Sequence, residues 1–173
     1  DRRADRERGD VRDRIDRLAA EGKADAFDFP RPMLHSDNSD FSFSGLKTAV
    51  IKEIEKLRRA DQAIPIADVA ASFQAAAVDV LVIKTVRAAT KHGLSTISVC
   101  GGVAANKGLR KAFETRAQAE GISVFYPRIS LCTDNGAMIA GLAYHKIQAG
   151  MQSDLRLDAH ANAPLGAMKV MYK

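Results

Sequence analysis

Two stretches of this sequence hold the residues best placed to do chemistry: Ser98-Val99-Cys100-Gly101-Gly102-Val103-Ala104-Ala105-Asn106, and Cys132-Thr133-Asp134-Asn135-Gly136-Ala137-Met138 some thirty residues on. In each, an apolar, strand-like run gives way to small and polar residues, and a helical pattern follows. Such a junction leaves backbone N–H groups unpaired at a helix N-terminus, where the macrodipole favours phosphate or carboxylate. Gly101 and Gly102 serve a tight turn and also let backbone come close to a nucleotide. Two such junctions point to a nucleotide site. Taken alone, Asp134 or Thr133 reads as the cap of a helix starting near Asn135, and Asn106 reads as an N-cap or first-turn residue.

Other side chains are more ambiguous. Lys107, Arg110 and Lys111 recur at helical spacing just after the Gly-Gly junction, and so form either a face for a polyanion or an ordinary solvated face. Ser42, Ser44 and Lys47 are suited to contacting an acyl group or to a structural role, and no nearby histidine could serve as their base. Cys100 and Cys132, the only cysteines, lack CxxC spacing and read as small hydrophobes rather than a disulfide or metal pair.

The elements that must carry these residues alternate between strand and helix. Residues 15–22 read as a short helix ending at Gly22; Phe27 to Pro32 is extended because Pro30 and Pro32 restrict their predecessors; His35 to Asp40 is a polar loop. Phe41 to Gly45 alternates as a strand. Leu46 to Arg59 and Ile66 to His92 are helices by periodicity, the second stopped by Gly93. Thr96 to Cys100 and Ile122 to Tyr126 are strands, with helices over Ala104 to Glu120 and Thr133 to Ala149. From Met151 the chain reads as loop with a short closing strand. This order is α/β with crossovers of the length parallel strands need. With only three convincing strands, the sheet lacks edge partners and cover, and the sequence reads as the back half of a larger fold.

Composition sets outer limits. The 173 residues, 46% hydrophobic, suit one globular domain with a core. No uninterrupted run of eighteen apolar residues occurs and the charged start lacks an apolar signal core, so the expectation is a cytoplasmic protein with no membrane partner. A net charge of +5 permits association with RNA without establishing it. Residues 1–14 belong to a stretch of alternating arginines and acids that cannot pack, expected to be frayed or disordered and foreign to the domain at 15–173.

Phe41-Ser42-Phe43-Ser44-Gly45-Leu46-Lys47-Thr48, Gly101-Gly102-Val103-Ala104-Ala105-Asn106 and Cys132-Thr133-Asp134-Asn135-Gly136-Ala137-Met138-Ile139-Ala140 together resemble the tRNA threonylcarbamoyladenosine transferase family, the TsaD group once labelled glycoprotease. The resemblance covers roughly Ile15 to Gly150 and corresponds to the C-terminal half of a family member. It implies one incomplete lobe of an actin-like, hexokinase-like and Hsp70-like ATPase fold, with a mixed sheet flanked by helices. The activity implied is transfer of a threonylcarbamoyl group from threonylcarbamoyl-AMP to N6 of adenosine 37 in tRNAs reading codons that begin with A. It further implies one iron or zinc ion held by an N-terminal HxxxH pair and Asp134, substrate contacts from Asn106, Gly101 and Gly102, and as partners tRNA, a paralogous subunit and a small ATPase.

The chain departs from that pattern in its histidines. His35, His92, His145 and His160 include no pair three or four apart, and the charged residues Asp10 to Arg14 stand where the family has a Gly-Pro-rich segment. Two of three implied metal ligands are therefore missing, and the chain alone is expected to be inactive. The competing readings are a non-catalytic fragment with weak nucleotide binding and, lowest, a metallopeptidase, for which there is no HExxH helix.

Overall fold

The computed structural model describes residues 11–154, 156 and 158. They fall into two compact units, divided between Cys132 and Thr133. The expected features at residues 1–10 and at the C-terminal closing strand lie outside the described residues.

The first unit is organised around one apolar helix. Helix α1 (Val11–Glu21) is followed by α2 (Ser44–Arg59) and the long α3 (Ile66–Lys91). Strand β1 (Thr96–Ser98) leads through a 3-10 turn (Gly102–Ala105) into α4 (Lys107–Ala119), and β2 (Ser123–Phe125) leads to a second 3-10 turn (Ile129–Leu131). Helix α3 runs about 39 Å, so different stretches of it serve different clusters. Val69 and Ala76 pack with Phe29 and Leu46; Ala70 and Ala71 pack with Ala19 of α1; Val82, Val86 and Ala89 pack with Ile97, Leu109, Phe113, Ala117 and Ile122. By length and composition α3 is apolar enough to cross a membrane. Its contacts with α1, α2, α4 and β1 make it the central helix of this unit instead.

Two polar groups on α3 are buried, and each is satisfied. The Ser72 hydroxyl accepts from the Phe27 N–H at 3.1 Å and donates to the Lys23 carbonyl at 3.2 Å. Lys84 is 1% exposed, and its Nζ donates to the Met33 carbonyl and Ser36 Oγ, both at 2.8 Å. A buried ammonium is tolerable only with such acceptors. Lys84 thereby fastens the 33–38 loop to the core. Gly22 follows α1 where its backbone meets the start of α3, and a Cβ there would collide with the Ala67 carbonyl.

Strands β1 and β2 pair in parallel, Thr96 with Ser123, Ile97 with Val124 and Ser98 with Phe125, with α4 as the crossover. The α/β expectation holds. The expected mixed sheet does not: the sheet among the described residues has these two parallel strands alone. Phe41 to Gly45 forms no strand: it takes no part in the strand pairing among the described residues, and α2 already begins at Ser44. The alternation survives as a local feature, since the Phe41 and Phe43 rings stack 6.4 Å apart. Helix α1 starts at Val11, earlier than the apolar pattern indicates.

In the second unit, α5 (Gly136–Gln148) is the helix expected after the second junction. Its Met138, Ile139, Leu142, Tyr144 and Ile147 are all exposed.

Candidate functional site

Gly101 ends the extended segment after β1 with φ 89° and ψ 172°, a conformation open to glycine and strained for any residue with a Cβ. An added Cβ would meet no atom within 4 Å, so the requirement is on the backbone and not on space. Gly102 opens the 3-10 turn, and the Ala104 N–H bonds back to the Gly101 carbonyl at 2.9 Å. The expected continuous helix from Ala104 is thus split into a 3-10 turn and α4, with Asn106 between them.

Asn106 is the N-cap of α4. Its Oδ1 accepts from the Leu109 N–H at 2.7 Å, and its Nδ2 donates to Gln74 Oε1 of α3 at 2.6 Å. The amide orientation follows from this network, because the capped N–H needs the oxygen. One amide hydrogen and one oxygen lone pair remain for another partner. Gln74 was not legible as a site residue, since nothing in its local sequence marks it.

The second junction resolves one ambiguity. Asn135 caps α5, its Oδ1 accepting from the Met138 N–H at 3.0 Å and its Nδ2 donating to the Thr133 carbonyl at 2.8 Å. The cap is therefore neither Asp134 nor Thr133. Asp134 is exposed, and its carboxylate has no hydrogen-bond or ion-pair partner among the described residues. It is chemically available to a cation. The described residues contain no group of three or more His, Cys, Asp or Glu side chains able to hold a metal, so this chain's described residues do not by themselves fit a complete metal site.

The basic triplet is corrected by the structure. Arg110 turns inward: its Nε donates to the Ala104 carbonyl at 2.6 Å, its Nη2 donates to the Pro127 carbonyl at 2.9 Å, and its guanidinium carbon lies 4.7 Å from the centre of the Tyr126 ring. Lys107 and Lys111 stay exposed. Helical spacing placed the three on one side of α4 but could not show that two turns and an aromatic ring cover part of it. Burial pushes the Tyr126 phenol above its usual pKa, and the Glu114 carboxylate adds to this while Arg110 opposes it.

Ser42 and Ser44 hydroxyls lie 3.1 Å apart and pair with each other, and Lys47 is exposed. Cys132 is buried and Cys100 exposed, both as free thiols, so only Cys132 behaves as the small hydrophobe expected. A groove lined by α3 and α4 residues such as Val86 and Arg116 includes none of the motif residues.

Residues 6–141 match the family described as "TsaD: tRNA N6-adenosine threonylcarbamoyltransferase". Among curated relatives, a tRNA N6-adenosine threonylcarbamoyltransferase of Syntrophotalea carbinolica is 52% identical over 153 residues, covering 87% of this chain and 44% of the relative. Proteins of the same name from Staphylococcus epidermidis, 46% identical, and Ralstonia pickettii, 50% identical, cover 90% and 78% of this chain and 46% and 40% of their own lengths. The chain spans less than half the length of these relatives.

Proposed function

This chain belongs to the tRNA N6-adenosine threonylcarbamoyltransferase family, and we propose from that membership that it supplies the C-terminal half of a tRNA-modifying acyltransferase site. The observation that carries the reading is the coincidence of family membership with the Gly101–Asn106 turn and the uncommitted Asp134 carboxylate. The reaction is attack of the adenosine N6 amine on the carbamoyl carbon of threonylcarbamoyl-AMP. A C–N bond forms, the carbon–oxygen bond to AMP breaks, AMP departs with the electron pair, and the N6 proton passes to solvent.

In this reading Gly101 and Gly102 present backbone to the adenylate, and the spare hydrogen-bonding capacity of Asn106 orients the donor. Asp134 is the carboxylate this chain offers to a divalent ion, iron or zinc. The described residues do not complete that ion's shell, and in this reading its remaining ligands come from the other half of the site. The lobe is one of an actin-like ATPase pair. tRNA, a paralogous subunit and a small ATPase are its proposed partners, in the cytoplasm.

Bacterial cells depleted of their own transferase provide the test. Co-expression of this chain with the N-terminal half of a relative should restore threonylcarbamoyladenosine in tRNA, whereas either piece alone should not. Restoration by this chain alone would contradict the half-site reading. Failure of the pair, where the relative's own two halves succeed together, would contradict the assignment of the chain to this reaction.

A further inference from the structure

Arg110 joins parts of the chain that the sequence keeps far apart. From the first turn of α4 its Nε reaches back to the Ala104 carbonyl at 2.6 Å, inside the turn bounded by Gly101 and Asn106. Its Nη2 reaches the Pro127 carbonyl at 2.9 Å and lies 3.4 Å from Cys132 Sγ, two residues before Asp134. The guanidinium covers the Tyr126 ring, and the Tyr126 hydroxyl donates to the Arg110 carbonyl at 3.2 Å, so the arginine is held from both ends. Cys132 is held as well: it is 4% exposed and its N–H bonds to the Ile129 carbonyl at 3.1 Å.

We propose that Arg110 is a positioning residue that locks the Gly101–Asn106 turn to the Pro127–Cys132 turn, so that these two turns of the first unit are ordered together. The proposal rests on the reading above only in calling these segments parts of a site; the lock itself is a property of this chain. A planar fork with donors on separate edges can serve both turns at once, whereas a lysine ammonium at this position reaches one of them and cannot lie flat on the ring.

The full-length chain carrying Arg110→Lys is compared with the unaltered chain and with Lys111→Ala, an exposed neighbour. Amide hydrogen exchange without substrate should quicken on the order of tenfold in residues 101–106 and 127–132 together. Exchange across Ala67–Val80 of α3 should be unchanged. The thiol of Cys132 should react faster with a disulfide reagent in the variant, while exposed Cys100 serves as the reference. In the reconstituted transfer assay, Arg110→Lys should raise the apparent KM for threonylcarbamoyl-AMP and also lower kcat, and millimolar methylguanidinium should recover part of the activity of Arg110→Ala. Quickened exchange in only one segment, unchanged Cys132 reactivity, or uniform loosening of the whole chain in Arg110→Lys would overturn the proposal. If the lock is confirmed by exchange and labelling while no transfer is found, the functional assignment fails and the lock stands.

Discussion

Asp134 carries the sharpest consequence at the scale of single residues. Because Asn135 performs the capping, Asp134→Asn should change stability by less than about 0.5 kcal/mol. The same substitution should abolish reconstituted transfer, since a neutral amide ligates a cation poorly. Thermal melts and tRNA nucleoside analysis measure the two effects, and unimpaired activity in that variant would remove Asp134 from the site. Asn106 needs a different pair of substitutions, because it caps a helix and faces Gln74 as well. Asn106→Ala should cost about 1 kcal/mol through the lost cap, whereas Asn106→Ser keeps a capping oxygen and most of the stability. If the amide also orients the donor, both variants should raise the apparent KM. A KM raised in Asn106→Ala and normal in Asn106→Ser would reduce Asn106 to a cap. Gly101 and Asn106 were legible because turns and caps are written in local residue types. Arg110 and Gln74 were not, because their partners lie 17 and 32 residues away in sequence.

Among elements, α3 does the most to organise the chain. Its helical period was plain in the sequence, as was that of α2, because apolar spacing reports a buried stripe directly, and both helices bury residues. Its terminal contact with α1 depends on Gly22, where any Cβ would strike the Ala67 carbonyl. Gly22→Ala should therefore destabilise the chain by about 2 kcal/mol, despite the usual gain from replacing glycine in flexible backbone. Denaturant titration decides this; a midpoint at or above that of the unaltered chain would show that the contact relaxes freely. Phe41 to Gly45 teaches the opposite lesson about legibility. Alternating residues satisfy a strand's side-chain pattern, but a strand also needs a neighbour for its backbone, and that neighbour is not written in the local sequence. The burial of Lys84 is not legible in the sequence for a related reason: a lysine on an apolar helix normally extends its ammonium into water, and only the fold reveals the loop oxygens that replace it.

On the scale of the whole molecule, each unit leaves apolar surface uncovered. Leu94 and Phe125 are exposed in the first, and the Met138, Ile139, Leu142, Tyr144 and Ile147 side chains of α5 in the second. Parallel strands are ordinarily covered on both faces, so the exposed Phe125 accords with a sheet that has further partners in the proposed complete transferase. Light scattering of the isolated chain at micromolar concentration should show self-association that decreases when the N-terminal half of a relative is added; a stable monomer insensitive to that addition would weigh against the half-site account. The most direct measurement uses purified components: this chain, the separately made N-terminal half of a relative, tRNA and threonylcarbamoyl-AMP, with the modified nucleoside quantified by mass spectrometry. The account predicts transfer from the mixture and none from either half. Transfer by this chain alone, or its absence from a mixture in which the relative's own two halves are active, would contradict it.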